Sequence, residues 1–293
     1  MSDASMLVFL AVVMLIGSFL AGSVPLIVTL SEERLNLVSI LGAGLLVGTA
    51  LAVIVPEGTQ MLYAQEFEEL KQKYEHHKAT EVTGTGAHED HNEGSLHSVI
   101  GLALLLGFVF MLLIDQIESG NSRNSRSLQA TIGLVVHAAA DGIALGAAAT
   151  SSHAATEMIV FLAIMLHKAP ASFGLVTFLL HDGLDRVRIR RYLLIFSLAA
   201  PLAALATFFG LSQKSKETLS SVNATGFAML FSAGTFLYVS TVHVLPEIVM
   251  RSGGHSHLPP SDGVEKIGFT RCELLALISG ALLPLALTAF HHH

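Results

Sequence analysis

Charge is scarce in this chain. Only 13% of its 293 residues are Asp, Glu, Lys or Arg, while 52% are hydrophobic. Apolar stretches of helix-spanning length recur from end to end, which excludes a soluble core of this size. Cysteine is scarcer still. Cys272 stands alone, so no internal disulfide can form. The opening MSDAS carries no basic residue, and the apolar run after it therefore reads as a retained helix rather than a secretory signal. No nucleophile and base pair stands beside the ionisable residues of the apolar runs, which argues against an enzyme. No nucleic-acid partner is expected.

What is present is a set of eight candidate spans within a single transmembrane domain over residues 1–293. They run approximately Met6–Leu30, Leu37–Pro56, Ser98–Ile114, Leu128–Ala149, Met158–Leu180, Tyr192–Leu211, Val222–Val249 and Leu274–Phe290. Each can cross about 30 Å of hydrocarbon at ~1.5 Å per residue. The fold class expected is an all-α membrane protein with the lipid bilayer as its partner. Ten of the 16 Lys and Arg residues fall in the odd-numbered loops, among them Arg186, Arg188, Arg190 and Arg191, and five fall in the even-numbered loops. That bias places the odd loops in the cytosol and both termini outside or in a lumen. The sequon Asn223-Ala224-Thr225 then lies on the side where glycosylation takes place.

Between the second and third spans, residues 58–97 turn acidic and histidine-bearing, with His76, His77, His88, His91 and His97. This stretch reads as a mobile loop, either a solvated linker or a weak metal collector. A shorter Gly254-His255-Ser256-His257 sits in the seventh loop.

Four ionisable residues fall where lipid forbids charge: His137 and Asp141 in LVVHAAADGIALG, then His167 and Lys168 in AIMLHKAPASFG. Each costs a few kcal/mol or more at bilayer depth, so such residues face a protein interior or a water-filled path. His137 and Asp141 are four apart and share one helix face. Two imidazoles and a carboxylate suit a borderline metal such as Zn²⁺, with a fourth position left for water. The plain alternative is polar glue between helices, worth ~0.6 kcal/mol per contact. Helix two is expected to end at Ile54-Val55-Pro56-Glu57 and helix seven at Val244-Leu245-Pro246-Glu247, an echo that fits an inverted repeat. Glu57 and Glu247 are then candidate gate carboxylates, and His243, one turn before Glu247, a candidate relay ligand.

The run His137-Ala138-Ala139-Ala140-Asp141-Gly142 resembles the HNxxDG motif of the ZIP (Zrt/Irt-like, solute carrier family 39) zinc transporters. His167-Lys168-Ala169-Pro170-Ala171-Ser172-Phe173-Gly174 resembles their HExPHExG motif. SEERLNLVSILGAGLLVGTALAVIVPEG, LGFVFMLLIDQI and NATGFAMLFSAGTFLYVSTVHVLPE are similar to a subgroup found in the trans-Golgi network and the cell membrane. The resemblance implies an eight-helix bundle with inverted repeats that carries Zn²⁺ toward the cytosol, with a homodimer left open. It also implies a departure. Where two-metal members supply Asn, Glu and a second His and Glu, this chain has Ala138, Lys168, Ala171 and Ser172. Only His137, Asp141 and His167 carry over as ligands, and Lys168 is expected to pair with Asp141 in place of a second metal. The alternative function is a receptor on the same scaffold that binds a lipophilic ligand such as a steroid.

Overall fold

A computed structural model describes residues 3–28, 31–63, 93–119, 126–150, 154–210, 224–252 and 269–289. Residues 64–92 of the histidine-bearing stretch, with His76, His77, His88 and His91, the Gly254–His257 run and the sequon residue Asn223 lie outside them, whereas 58–63 and 93–97 are helical. Among the described residues there is no strand. The helices are α1 (Asp3–Ile27), α2 (Glu32–Thr49, continuing through a π turn at Ala50–Ile54 to residue 63) and α3 (Glu93–Ser119). There follow α4 (Arg126–Ala148), α5 (Ala154–His181), α6 (Arg186–Gly210), α7 (Ala224–Tyr238, a π turn at Val239–Val244, then Leu245–Ser252) and α8 (Arg271–Ala289). Seven of these are long and apolar enough to cross a membrane. The eighth expected span is α8, 19 residues packed along α2.

Two boundaries differ from expectation for physical reasons. The arginine run 186–191, expected in a loop, forms the first turn and a half of α6. Its first residue is useful there, because Arg186 Nη1 donates to the carbonyl of Leu26 at 2.8 Å and satisfies an acceptor in the last turn of α1. Nor do Pro56 and Pro246 end their helices. A proline in a helix interior removes a hydrogen bond and crowds the carbonyl four residues back. Here each is preceded by a widened turn in which Val55 N–H reaches Ala50 O and Leu245 N–H reaches Ser240 O, both five residues back. The chain rides over the proline and stays helical, so Glu57 and Glu247 lie within helices.

The packing repeats itself. α2 lies along α8 as α3 lies along α7, α1 against α5 as α6 against α4, and α2 against α5 as α7 against α4. Exchanging α1, α2, α3 and α4 with α6, α7, α8 and α5 relates these contacts, and each exchange pairs an odd with an even helix, which is an inverted repeat. Small residues record the same relation atom by atom. A Cβ on Gly44 would strike the carbonyl of Leu277, and one on Gly280 that of Leu41; likewise Gly107 abuts Phe231 and Gly234 abuts Leu104. Both pairs use glycine for close backbone approach, as membrane helices do. At the base of α8, Thr270 and Glu273 form a capping box in which Thr270 N–H donates to Glu273 Oε2 at 2.8 Å, while Asn36 of α2 holds the other oxygen at 2.8 Å.

Candidate metal centre

α4 and α5 are the helices most enclosed by the others, together with α2 and α7. A helix hydrophobic on nearly all faces belongs inside a membrane bundle. α4 is lined with Ala and Gly where α6 crosses it, since Gly142 and Gly146 abut the carbonyls of Ala200 and Ala204. This close fit leaves the opposite face of α4, with His137 and Asp141, directed at α5 and α7.

The three expected ligands meet. His137 and Asp141 are 1% exposed and His167 is fully buried, and one ligand atom from each lies within 4.8 Å of the others. Asp141 Oδ2 is 3.3 Å from His137 Nε2 and 3.2 Å from His167 Nε2. A tetrahedral zinc shell with bonds of ~2.0–2.2 Å has edges of about 3.3–3.6 Å. The observed separations are close to such edges, so the side chains need only small shifts to share one ion. Within α5, Pro170 sits one turn past His167 and, lacking an N–H, cannot bond the carbonyl of Leu166.

Two further groups reach this cluster from the helices that flank it. Glu57 Oε2 of α2 stands 3.7 Å from His167 Nδ1, the ring nitrogen turned away from Asp141. Ser232 of α7 touches both ligands of α4: its Oγ is 2.6 Å from Asp141 Oδ1 and 2.7 Å from His137 Nδ1, and its carbonyl is 3.1 Å from the same nitrogen. Sequence reasoning missed Ser232. A serine between Phe231 and Ala233 in an apolar helix carries no signal of its own, and only the crossing of α7 over α4 gives it one.

Lys168 departs from expectation. It is 1% exposed, as a residue at membrane depth, but its Nζ makes no hydrogen bond with any described residue and lies 4.6 Å from the centre of the Phe196 ring on α6. The direct contact with Asp141 is not formed. Lys168 follows His167 by one position, about 100° around α5, and so cannot share its direction. A desolvated cation over an aromatic face gains roughly 2 kcal/mol, less than the several that burial of an ammonium costs.

Of the weaker candidates, His243 is not in the cluster. Its Nε2 is 3.3 Å from Asp115 Oδ1 of α3, whose other oxygen accepts from Tyr238 O–H at 2.9 Å. Neither Asp115 nor Tyr238 stood out in the sequence. Glu247 is buried in α7 and is not one of the three converging ligands.

The ZIP Zinc transporter family model matches residues 4–121 and 117–288. Over the whole of both chains the sequence is 52% identical to Zinc transporter ZIP9 of Micropogonias undulatus and 54% identical to Zinc transporter ZIP9 of Xenopus tropicalis. It is also 29% identical to Zinc transporter zipt-7.1 of Caenorhabditis briggsae, over 50% of this chain and 35% of that one. Matched from α1 to α8 by that pattern, and sharing more than half its residues with full-length relatives, this chain belongs to the ZIP zinc transporter family.

Proposed function

We propose that the chain moves zinc into the cytosol, from the Golgi lumen or the extracellular space, through one mononuclear site made of His137, Asp141 and His167. The observation that carries this is the convergence of three ligand atoms from two adjacent helices at full burial. Zinc here is substrate. Three protein ligands leave a tetrahedral position for water, and an ion held that openly can be released. A closed four-ligand cage suits a structural ion instead.

The positive-inside bias supports an orientation with both termini outside or in a lumen. Glu57 lies toward the outer end of α2, beside His167, where it can pass an incoming ion to the site. His243 and Glu247 lie toward the inner end of α7, where they can receive it. The Lys168 ammonium, though turned to Phe196, is a fixed positive charge on the residue next to His167 and opposes a second cation beside the site. Asn223 is the glycosylation site on the outer side.

The test is zinc-65 uptake by vesicles containing only this protein, with Mn²⁺, Fe²⁺ and Cd²⁺ as competitors. Saturable uptake supports the transporter; folded protein without uptake supports the receptor. An apolar cleft between α1 and α6, lined by Leu15, Ile16, Phe19, Leu20 and Leu194, is the nearest candidate for a lipophilic ligand. It offers none of the polar groups that orient a specific one.

A further inference from the structure

We infer that Ser232 is a positioning residue for the zinc site, one that fixes the tautomer of His137 and the rotation of Asp141 from a third helix. The inference rests on the reading of His137, Asp141 and His167 as zinc ligands. It begins with which atoms point where. His137 Nε2, Asp141 Oδ2 and His167 Nε2 face one another. The remaining polar atoms of the two α4 ligands, His137 Nδ1 and Asp141 Oδ1, both turn to the one hydroxyl of Ser232, at 2.7 and 2.6 Å. Ser232 is therefore behind the ligands, not among them.

With a zinc ion between His137 Nε2 and Asp141 Oδ2, which stand 3.3 Å apart, counting protons leaves one arrangement. A hydroxyl has a single proton to donate. Asp141 as a carboxylate can only accept, so the short 2.6 Å contact takes that proton. His137 Nδ1 faces the Ser232 Oγ lone pair and the Ser232 carbonyl at 3.1 Å, two acceptors, so it must carry its own hydrogen. A neutral imidazole has one N–H. The lone pair is consequently on Nε2, the atom aimed at the site. In the opposite tautomer, the carbonyl would face a lone pair, Ser232 would have to donate to His137, and Asp141 Oδ1 would lose its donor. Ser232 is fully buried, so no water replaces a bond that is lost. Partners of this kind change metal affinity by about 10–100-fold.

Two measurements on the full-length chain test this: equilibrium zinc binding to purified protein, and initial rates of zinc-65 uptake into vesicles. Ser232→Ala is expected to weaken binding and raise KM by about 10–100-fold, with maximal rate within about threefold of the parent. Ser232→Thr keeps the hydroxyl and should return both to within about threefold. Ser232→Val, the same shape without the hydroxyl, should behave as the alanine variant. Parental KM and affinity in Ser232→Ala would overturn the proposal, as would equal behaviour of Thr and Val, which would mean that volume alone matters. His137→Ala, measured alongside, keeps the two claims apart. Loss of uptake there with an unchanged Ser232→Ala refutes only the positioning role; normal uptake in His137→Ala refutes the ligand assignment beneath it.

Discussion

α2 and α7 have the same backbone and different chemistry. Each holds a glycine packed against a parallel neighbour, then a π turn, then Pro-Glu, and in both the glutamate follows that glycine by thirteen residues: Gly44 to Glu57, Gly234 to Glu247. Yet α2 presents its carboxylate to His167, whereas α7 presents Ser232 to His137 and Asp141 and uses His243 on Asp115. The shared part is what lets a helix bend at membrane depth with its backbone hydrogen bonds still satisfied. The differing part sets which side chains stand beside the three-ligand cluster. The repeated packing accounts for the scaffold, and a handful of side chains make its two halves chemically different.

The largest effect should come from breaking what both helices serve. His167→Ala removes the one ligand that faces Asp141 and Glu57 together, and should cut zinc flux more than about 100-fold, beyond the range for supporting residues, at near-normal abundance. Asp141→Ala and His137→Ala should follow closely. Next, Gly44→Val and Gly234→Val probe the shared scaffold. Each drives a side chain into a backbone carbonyl that cannot yield, so both should lower folded protein in detergent to a similar degree, by at least the 1–3 kcal/mol typical of overpacking. Strongly unequal losses would break the symmetry argument.

The two carboxylates should give smaller and opposite effects. Glu57→Gln should raise KM about tenfold with maximal rate preserved, because capture weakens. Glu247→Gln should lower maximal rate several-fold with KM preserved, because release slows. Matching defects in the two would show that they serve one step. The smallest of the four concerns Lys168. Lys168→Ala should reduce uptake a few-fold, and Lys168→Glu should shift the preference among Zn²⁺, Mn²⁺ and Cd²⁺ by offering an oxygen donor where an ammonium stood. Wild-type rates and selectivity in both would make Lys168 a bystander.

Much of this could be read from the sequence, and the misses share a cause. The eight helices are legible because crossing hydrocarbon demands a long apolar run whatever the neighbours. His137 and Asp141 are legible because ionisable groups at that depth are costly and their spacing puts them on one face. Pro56 and Pro246 read as helix ends in the sequence because a π turn has no compositional mark. Phe196, 28 positions on, is not legible as a neighbour of Lys168 because it meets it only once α6 has packed against α5. Ser232 and the Asp115 and Tyr238 pair were invisible for the same reason: their roles exist only across a helix crossing.

Anomalous scattering at the zinc edge from the zinc-loaded protein tests whether one zinc ion is held by His137, Asp141 and His167. A single intramembrane peak is expected about 2.0–2.2 Å from His137 Nε2, Asp141 Oδ2 and His167 Nε2. A peak elsewhere among the spans, or a second ion beside Lys168, would contradict it.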